Sequence, residues 1–181
     1  MKVIPLSRVR EKTLVKEIKN NSIFIYPTDT VYGIGCNALD EEAVERVRQI
    51  KNTNKPFSVI APSKQWIYKN LHAKKHYIEK LPGPFTFIIK LKKKNIVASN
   101  VTYSNTLGIR IPNNKLTKLI QKSKLPFIST SANESGKPPI IDVNKLPRRL
   151  ENVDIVIDAG LLENKSSAVI DITGKIARII R

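Results

Sequence analysis

The 181-residue chain has a single cysteine, Cys36, and two histidines, His72 and His76. One cysteine excludes an internal disulfide and a cysteine-based zinc site, and the expected setting is reduced and cytoplasmic. The histidines are four apart but lie among Lys74 and Lys75 with no glutamate between them, so the donor pattern of a helical zinc pair is lacking. Neither stands near a nucleophile elbow, which leaves a Ser/His/Asp triad without its base. No apolar run approaches the roughly 20 residues that cross a bilayer, so no membrane partner is expected. The start, Met1-Lys2-Val3-Ile4-Pro5, reaches Arg8 and Arg10 without the apolar stretch of a signal peptide. There is no G-x-x-x-x-G-K-[ST], hence no P-loop, and Gly33 and Gly35 lack the third glycine of a dinucleotide fingerprint.

Acidic residues are scarce. Asp+Glu number 15 against Lys+Arg 32, a formal net charge of +17. Between Glu79 and Glu134 there is none at all, while Lys80, Lys90, Lys92, Lys93, Lys94, Arg110, Lys115, Lys118, Lys122 and Lys124 fall in that stretch. Such a field draws nucleotides, pyrophosphate or RNA; a solvated lysine-rich surface is the plain alternative. With 41% hydrophobic and 26% charged residues, the composition suits a soluble globular protein. The length, with no repeat, linker or low-complexity tract, suits one domain over residues 1–181.

Hydrophobic periodicity predicts interleaved helices and strands. A helix is expected from about Arg8 to Asn20, capped by Ser7, and a buried strand over Ser22–Tyr26, stopped by Pro27. Asp40 is placed to cap a helix reaching Lys51. A strand over Phe57–Ala61 is followed by a helix opened by Pro62-Ser63. Pro82-Gly83-Pro84 reads as a rigid turn. Phe85, Phe87, Ile89 and Leu91 alternate with Thr86, Ile88 and Lys90, and Leu107, Ile109 and Ile111 alternate with Gly108 and Arg110, which is strand period. Asn113 or Asn114 caps a helix, Phe127-Ile128 forms a strand, Asp142 caps a short helix, and closing strands are expected over 153–157, 168–172 and 176–180. The class is α/β with a mixed sheet and flanking helices.

Four segments stand out chemically. Tyr26-Pro27-Thr28-Asp29-Thr30-Val31-Tyr32-Gly33-Ile34-Gly35 ends a strand in hydroxyls, with glycines that let the backbone approach a ligand. Ile128 to Pro138 delivers Ser129, Thr130, Ser131, Asn133 and Ser135, groups that bind phosphate or an amino acid without adding charge, or that form an Asx/Ser turn. In Leu107-Gly108-Ile109-Arg110-Ile111-Pro112 an arginine sits among apolar neighbours and must find an anion. That anion is a bound carboxylate or phosphate, or a structural partner among Asp29, Asp158 and Asp171. The fourth segment is Ser166-Ser167-Ala168-Val169-Ile170-Asp171 with Arg178 and Arg181 beyond it; alone it reads as an edge hairpin. Cys36 reads as a small core residue.

Taken together these segments resemble the YrdC/Sua5 family of threonylcarbamoyl-AMP synthases. Pro27-Thr28-Asp29-Thr30-Val31-Tyr32-Gly33 resembles the P-T-[DE]-T-x-Y-G signature, and Pro82-Gly83-Pro84-Phe85-Thr86 the P-G-P-x-T turn. Ile109-Arg110-Ile111-Pro112 resembles the V-R-x-P strand, Ser129 to Gly136 the S-A-N-x-S-G loop, and Ser167 to Asp171 the S-T-[VI]-[VI]-D strand. The likeness runs from about residue 5 to the last, in the manner of the short, single-domain branch.

The resemblance implies a twisted α/β sheet with a large, positively charged cavity. It implies condensation of L-threonine, bicarbonate (or CO₂) and ATP to threonylcarbamoyl-AMP and pyrophosphate, with Mg²⁺ accompanying ATP. A downstream transferase would pass the group to adenosine 37 of tRNAs that read codons starting with A. It implies that Thr30, Arg110, Ser131 and Ser167 bind threonine, with Arg110 on its carboxylate. Lys51, Thr106, Asn133 and Arg181 fall on nucleotide-contacting positions. No covalent nucleophile is required; Lys51 and Arg110 stabilise charge. Two departures fall on the nucleotide side: the K-x-R motif reads Lys51-Asn52-Thr53, and the loop to Pro56 is about two residues short, so Lys55 is the candidate replacement charge. Two rival readings are a double-stranded RNA or tRNA-binding module without catalysis, and a carbamoyl-adenylate domain like that of hydrogenase-maturation proteins.

Overall fold

The structure, a computed structural model, describes residues 1–181. In chain order its strands and helices are β1 (Lys2–Pro5), α1 (Glu11–Lys19), β2 (Phe24–Tyr26), β3 (Gly33–Gly35), α2 (Glu41–Lys51) and β4 (Ser58–Ile60). There follow α3 (Lys64–Asn70), α4 (Lys75–Ile78), β5 (Phe85–Lys90), β6 (Thr106–Arg110), α5 (Lys115–Gln121), β7 (Phe127–Ser131), β8 (Ile155–Asp158), β9 (Ala168–Asp171) and β10 (Arg178–Ile179). The ten strands form one continuous sheet in the order β1-β8-β2-β3-β7-β4-β6-β5-β9-β10, with parallel and antiparallel pairs mixed. No helix is long and apolar enough to cross a membrane.

Capping chemistry sets several helix ends where the sequence places it. Asp40 accepts from the Ala43 N–H at 2.7 Å, Ser63 from Trp66 at 3.0 Å, and Asn114 from Thr117 at 2.8 Å; each such cap is worth about 1 kcal/mol. Ser7 does not cap α1. It lies in a 3₁₀ turn over Leu6–Arg8, and α1 begins at Glu11 after an extended Arg10 with no side-chain cap.

The strand period sorts side chains onto two faces. On one, Ile25, Ile34, Val59, Phe87, Ile109, Ile128 and Val156 pack with Val44 and Val47 of α2, Ile67 of α3 and Ile78 of α4, forming the main core. On the other, Phe24, Tyr26, Ile60, Phe127, Ile155 and Ile157 meet Leu14 and Ile18 of α1 and Leu116 and Ile120 of α5. On that second face the apolar residues give way to Ser58, Ser129 and Ser131 further along β4 and β7, and to Thr86 and Gly108 on the neighbouring β5 and β6. The uncovered part of the sheet is therefore polar.

Candidate functional site

Pro27 stops β2, and the loop that follows is held by its own threonines. The Thr28 hydroxyl donates to the Val31 carbonyl at 2.7 Å and accepts from the Thr30 N–H at 3.1 Å; the Thr28 and Thr30 hydroxyls lie 2.9 Å apart. The chain returns as Gly33-Ile34-Gly35, paired to β2 and β7. The sequence reading has these glycines approaching a ligand. Gly33 does line the polar hollow, but at Gly35 the close neighbour is the protein itself, since a Cβ there would overlap the Ile128 carbonyl oxygen.

The hollow occupies about 80 Å³ on the uncovered face. Its walls come from the β2–β3 loop (Thr30), from the strands (Ser58, Thr86, Arg110, Ser129, Ser131), from the Ser166-Ser167 approach to β9, and from Arg181 at the far end. The two charged lining residues are both arginines. Thr30, Arg110, Ser131, Ser167 and Arg181 are thus brought together as the sequence reading expects. Arg181 is tied in through its backbone, its carbonyl accepting from the Val169 N–H at 2.9 Å.

Arg110 has a partner already. Its Nη2 donates to Asp29 Oδ1 at 3.0 Å and to the Thr30 hydroxyl at 3.4 Å, while Asp29 Oδ2 accepts from the Asn113 N–H at 2.8 Å. Of the three structural partners open on sequence, Asp29 is the one found. Burial lowers the guanidinium's pKa despite that neighbour. Even so, Arg110 Nε and the Ser129 hydroxyl are buried without any hydrogen-bond partner in the protein. Thr86 and Ser167 are paired hydroxyl to hydroxyl at 3.1 Å. Beneath Gly33, burial pushes the Tyr26 phenol up to about 12.

Lys51 and Asn133 lie behind the wall. Lys51 Nζ donates to the Ser131 carbonyl at 2.6 Å, to the Asn133 carbonyl at 2.8 Å and to Asn133 Oδ1 at 3.2 Å. The Ser131 hydroxyl donates to the same Asn133 oxygen at 2.6 Å. An ammonium has three protons, and here all three go to the loop that carries Ser131. Burial brings the Lys51 pKa down to about 8. Lys55 is exposed and, like Thr106, does not line the hollow. The loop holding Lys55 is instead fixed by a residue the sequence reading passed over. Arg48 donates to the carbonyls of Thr53, Lys55 and Asn100 and lies over the Phe57 ring at 4.5 Å.

Ser58 lies outside every matched motif, and Thr86 and Ser129 lie inside motifs without a role assigned to them; all three line the hollow. Their signal was strand parity: Ser58 is in register with Gly108 and with Ser129, two residues from Arg110 and on its face. Tyr32 was in the motif, but its role needed the fold. Its hydroxyl donates to the Gly160 carbonyl at 2.7 Å and accepts from the Ala159 N–H at 2.9 Å. It thereby fixes the start of the segment that leads to Ser166 and Ser167.

The family model Sua5/YciO/YrdC, described as "Telomere recombination", matches residues 16–181. The chain belongs to this family. A Methanocaldococcus jannaschii relative, provisionally named threonylcarbamoyl-AMP synthase, is 41% identical over 167 residues, covering 88% of this chain and 78% of that protein. Pyrococcus abyssi Sua5, solved in complex with L-threonine, superposes with a TM-score of 0.85 at 26% identity; all of this chain is covered, but it spans only 57% of the Sua5 chain. Escherichia coli YciO shares the fold, with a TM-score of 0.84 at 24% identity over 99% of this chain and 93% of its own. The Sua5/YciO/YrdC family thus accounts for the twisted mixed sheet and the placing of its motifs around one hollow.

Proposed function

We propose that this Sua5/YciO/YrdC protein makes threonylcarbamoyl-AMP and pyrophosphate from L-threonine, bicarbonate or CO₂, and ATP, and so supplies a transferase that modifies adenosine 37 of tRNAs. The observation that carries this reading is the pair of unpartnered buried groups, Arg110 Nε and the Ser129 hydroxyl, at one hollow ringed by further hydroxyls. Buried polar atoms are normally satisfied, so two orphans on residues that line one hollow support a place for a polar ligand. A guanidinium N–H suits a carboxylate, and Thr30, Ser131 and Ser167 suit the hydroxyl and amine of threonine. The names of the M. jannaschii and P. abyssi relatives support the same substrate.

The chemistry asks the chain for position and charge. Threonine's amine nitrogen forms a bond to the carbon of CO₂ and loses a proton, giving a carbamate. A carbamate oxygen then bonds to the α-phosphorus of ATP, and the bond to the β-phosphate oxygen breaks with its electron pair leaving on pyrophosphate. The reactants are anions, so cationic groups hold them together and no side-chain nucleophile is needed. Arg110 orients threonine. Arg181 lines the same hollow, and in this reading it is the cation that meets phosphate. Lys51 acts from behind, holding Ser131 and Asn133 in place, and Thr106 and Lys55, which lie outside the hollow, are assigned to the nucleotide by the family resemblance alone. In this reading Mg²⁺ enters with ATP, on its phosphates, as part of the substrate. The setting we propose is the cytoplasm, where ATP and tRNA are found.

The test is pyrophosphate release from purified protein. It should require threonine, bicarbonate and ATP together. The net charge of +17 favours one other reading, an RNA-binding module. That reading predicts strongly salt-dependent RNA binding and no ATP turnover.

A further inference from the structure

Asp29 does not line the hollow; it stands behind Arg110. Its carboxylate is held from two sides, by the Arg110 Nη2 at 3.0 Å and by the Asn113 N–H at 2.8 Å. The Arg110 and Asp29 side chains are only 8% and 11% exposed. One guanidinium nitrogen is thus occupied, and the charge of Arg110 is cancelled at close range. In a chain of net charge +17, a buried guanidinium without such a counter-ion would collect any small anion. The substrates of the proposed reaction include several, among them bicarbonate and the phosphates.

We infer that Asp29 is a positioning and specificity residue: by taking Nη2 and neutralising Arg110, it makes the hollow reject small anions, a bare carboxylate such as formate included, that lack the further polar groups with which an amino acid meets the surrounding hydroxyls. The inference rests on the threonine reading of the hollow, but its readout does not need threonine to bind. A merely structural Asp29 would stabilise the loop and have no effect on anion binding.

The experiment is a thermal-shift and calorimetric titration of the full chain with sodium formate at constant ionic strength. Asp29→Asn keeps the size and an acceptor for the Asn113 N–H but removes the charge. It should bind formate at least about tenfold more tightly than the wild type, and Asp29→Asn with Arg110→Ala should lose that gain. Asp29→Glu should return formate binding toward the wild-type level. If Asp29→Asn proves unfolded, Asn113→Pro removes one of the two holds on the carboxylate and should give an intermediate response. Formate binding by the folded variants equal to that of the wild type overturns the inference. Failure of the wild type to bind threonine, with the formate gain intact, overturns the threonine reading and leaves the role of Asp29 standing.

Discussion

Replacing Arg110 with alanine separates substrate recognition from folding, and the structure supplies both magnitudes. On the folding side, the change strips Asp29 of its ion pair at 3.0 Å and leaves one backbone N–H on a carboxylate that is 11% exposed. Breaking a buried pair from one side costs about 3–5 kcal/mol. On the binding side, it removes one of the two arginines from the hollow, and a charge-assisted carboxylate contact of this kind is worth about 2 kcal/mol, a factor of about 30. The assay is pyrophosphate release at varied threonine and varied ATP, with urea unfolding in parallel. Arg110→Ala should raise the threonine requirement about 30-fold and move the ATP requirement by less than about threefold. Adding Asp29→Asn to Arg110→Ala should restore most of the lost stability, because no unpaired carboxylate remains, without restoring threonine affinity. Equal losses toward both substrates, or recovery of threonine affinity in the double variant, would refute the reasoning.

Three further outcomes follow from the geometry. Gly35→Ala should destabilise the protein by about 3 kcal/mol or more in urea unfolding, because its Cβ meets the Ile128 carbonyl oxygen of a fixed neighbouring strand. Tyr32→Phe should cost about 1–3 kcal/mol and speed amide exchange over residues 159–167, since the Ala159 N–H and Gly160 carbonyl both lose the phenol. Lys51 titrates near 8 in the folded protein against an ordinary value of 10.5, so between those limits the unfolded chain binds the extra proton and this lysine's contribution to stability rises with pH. Lys51→Met should flatten the rise measured by urea unfolding from pH 8 to 10; an unchanged slope would mean that Lys51 keeps its proton through the three acceptors around it.

Local signals in the chain were legible where a single residue type decides the outcome. Asp40 and Asn114 cap α2 and α5, and the alternations at 85–91 and 107–111 are strands β5 and β6. What went unread depends on partners distant in sequence. β1 is an exposed four-residue edge strand that exists because β8 pairs with it, and β3 is Gly-Ile-Gly, a weak strand former held between β2 and β7. Within the site, the motifs hold Thr30, Thr86, Arg110, Ser129, Ser131 and Ser167, yet Ser58 required knowing which face Arg110 takes. The Asp29–Arg110 pair spans 81 residues, and composition alone left three acids as candidates for it. Lys51 was read as facing phosphate because of its motif. Its three acceptors, at Ser131 and Asn133, come from a loop some 80 residues away.

The account depends on a hollow that holds threonine beside an activated phosphate. The most direct measurement is to incubate the purified protein with ¹⁴C-bicarbonate, ATP and each amino acid in turn, and to follow label in an adenylate together with pyrophosphate. The account predicts a labelled adenylate with threonine well above every other amino acid, and none when threonine, bicarbonate or ATP is left out. Pyrophosphate released without threonine, or no labelled adenylate from a protein that still binds RNA, would contradict it.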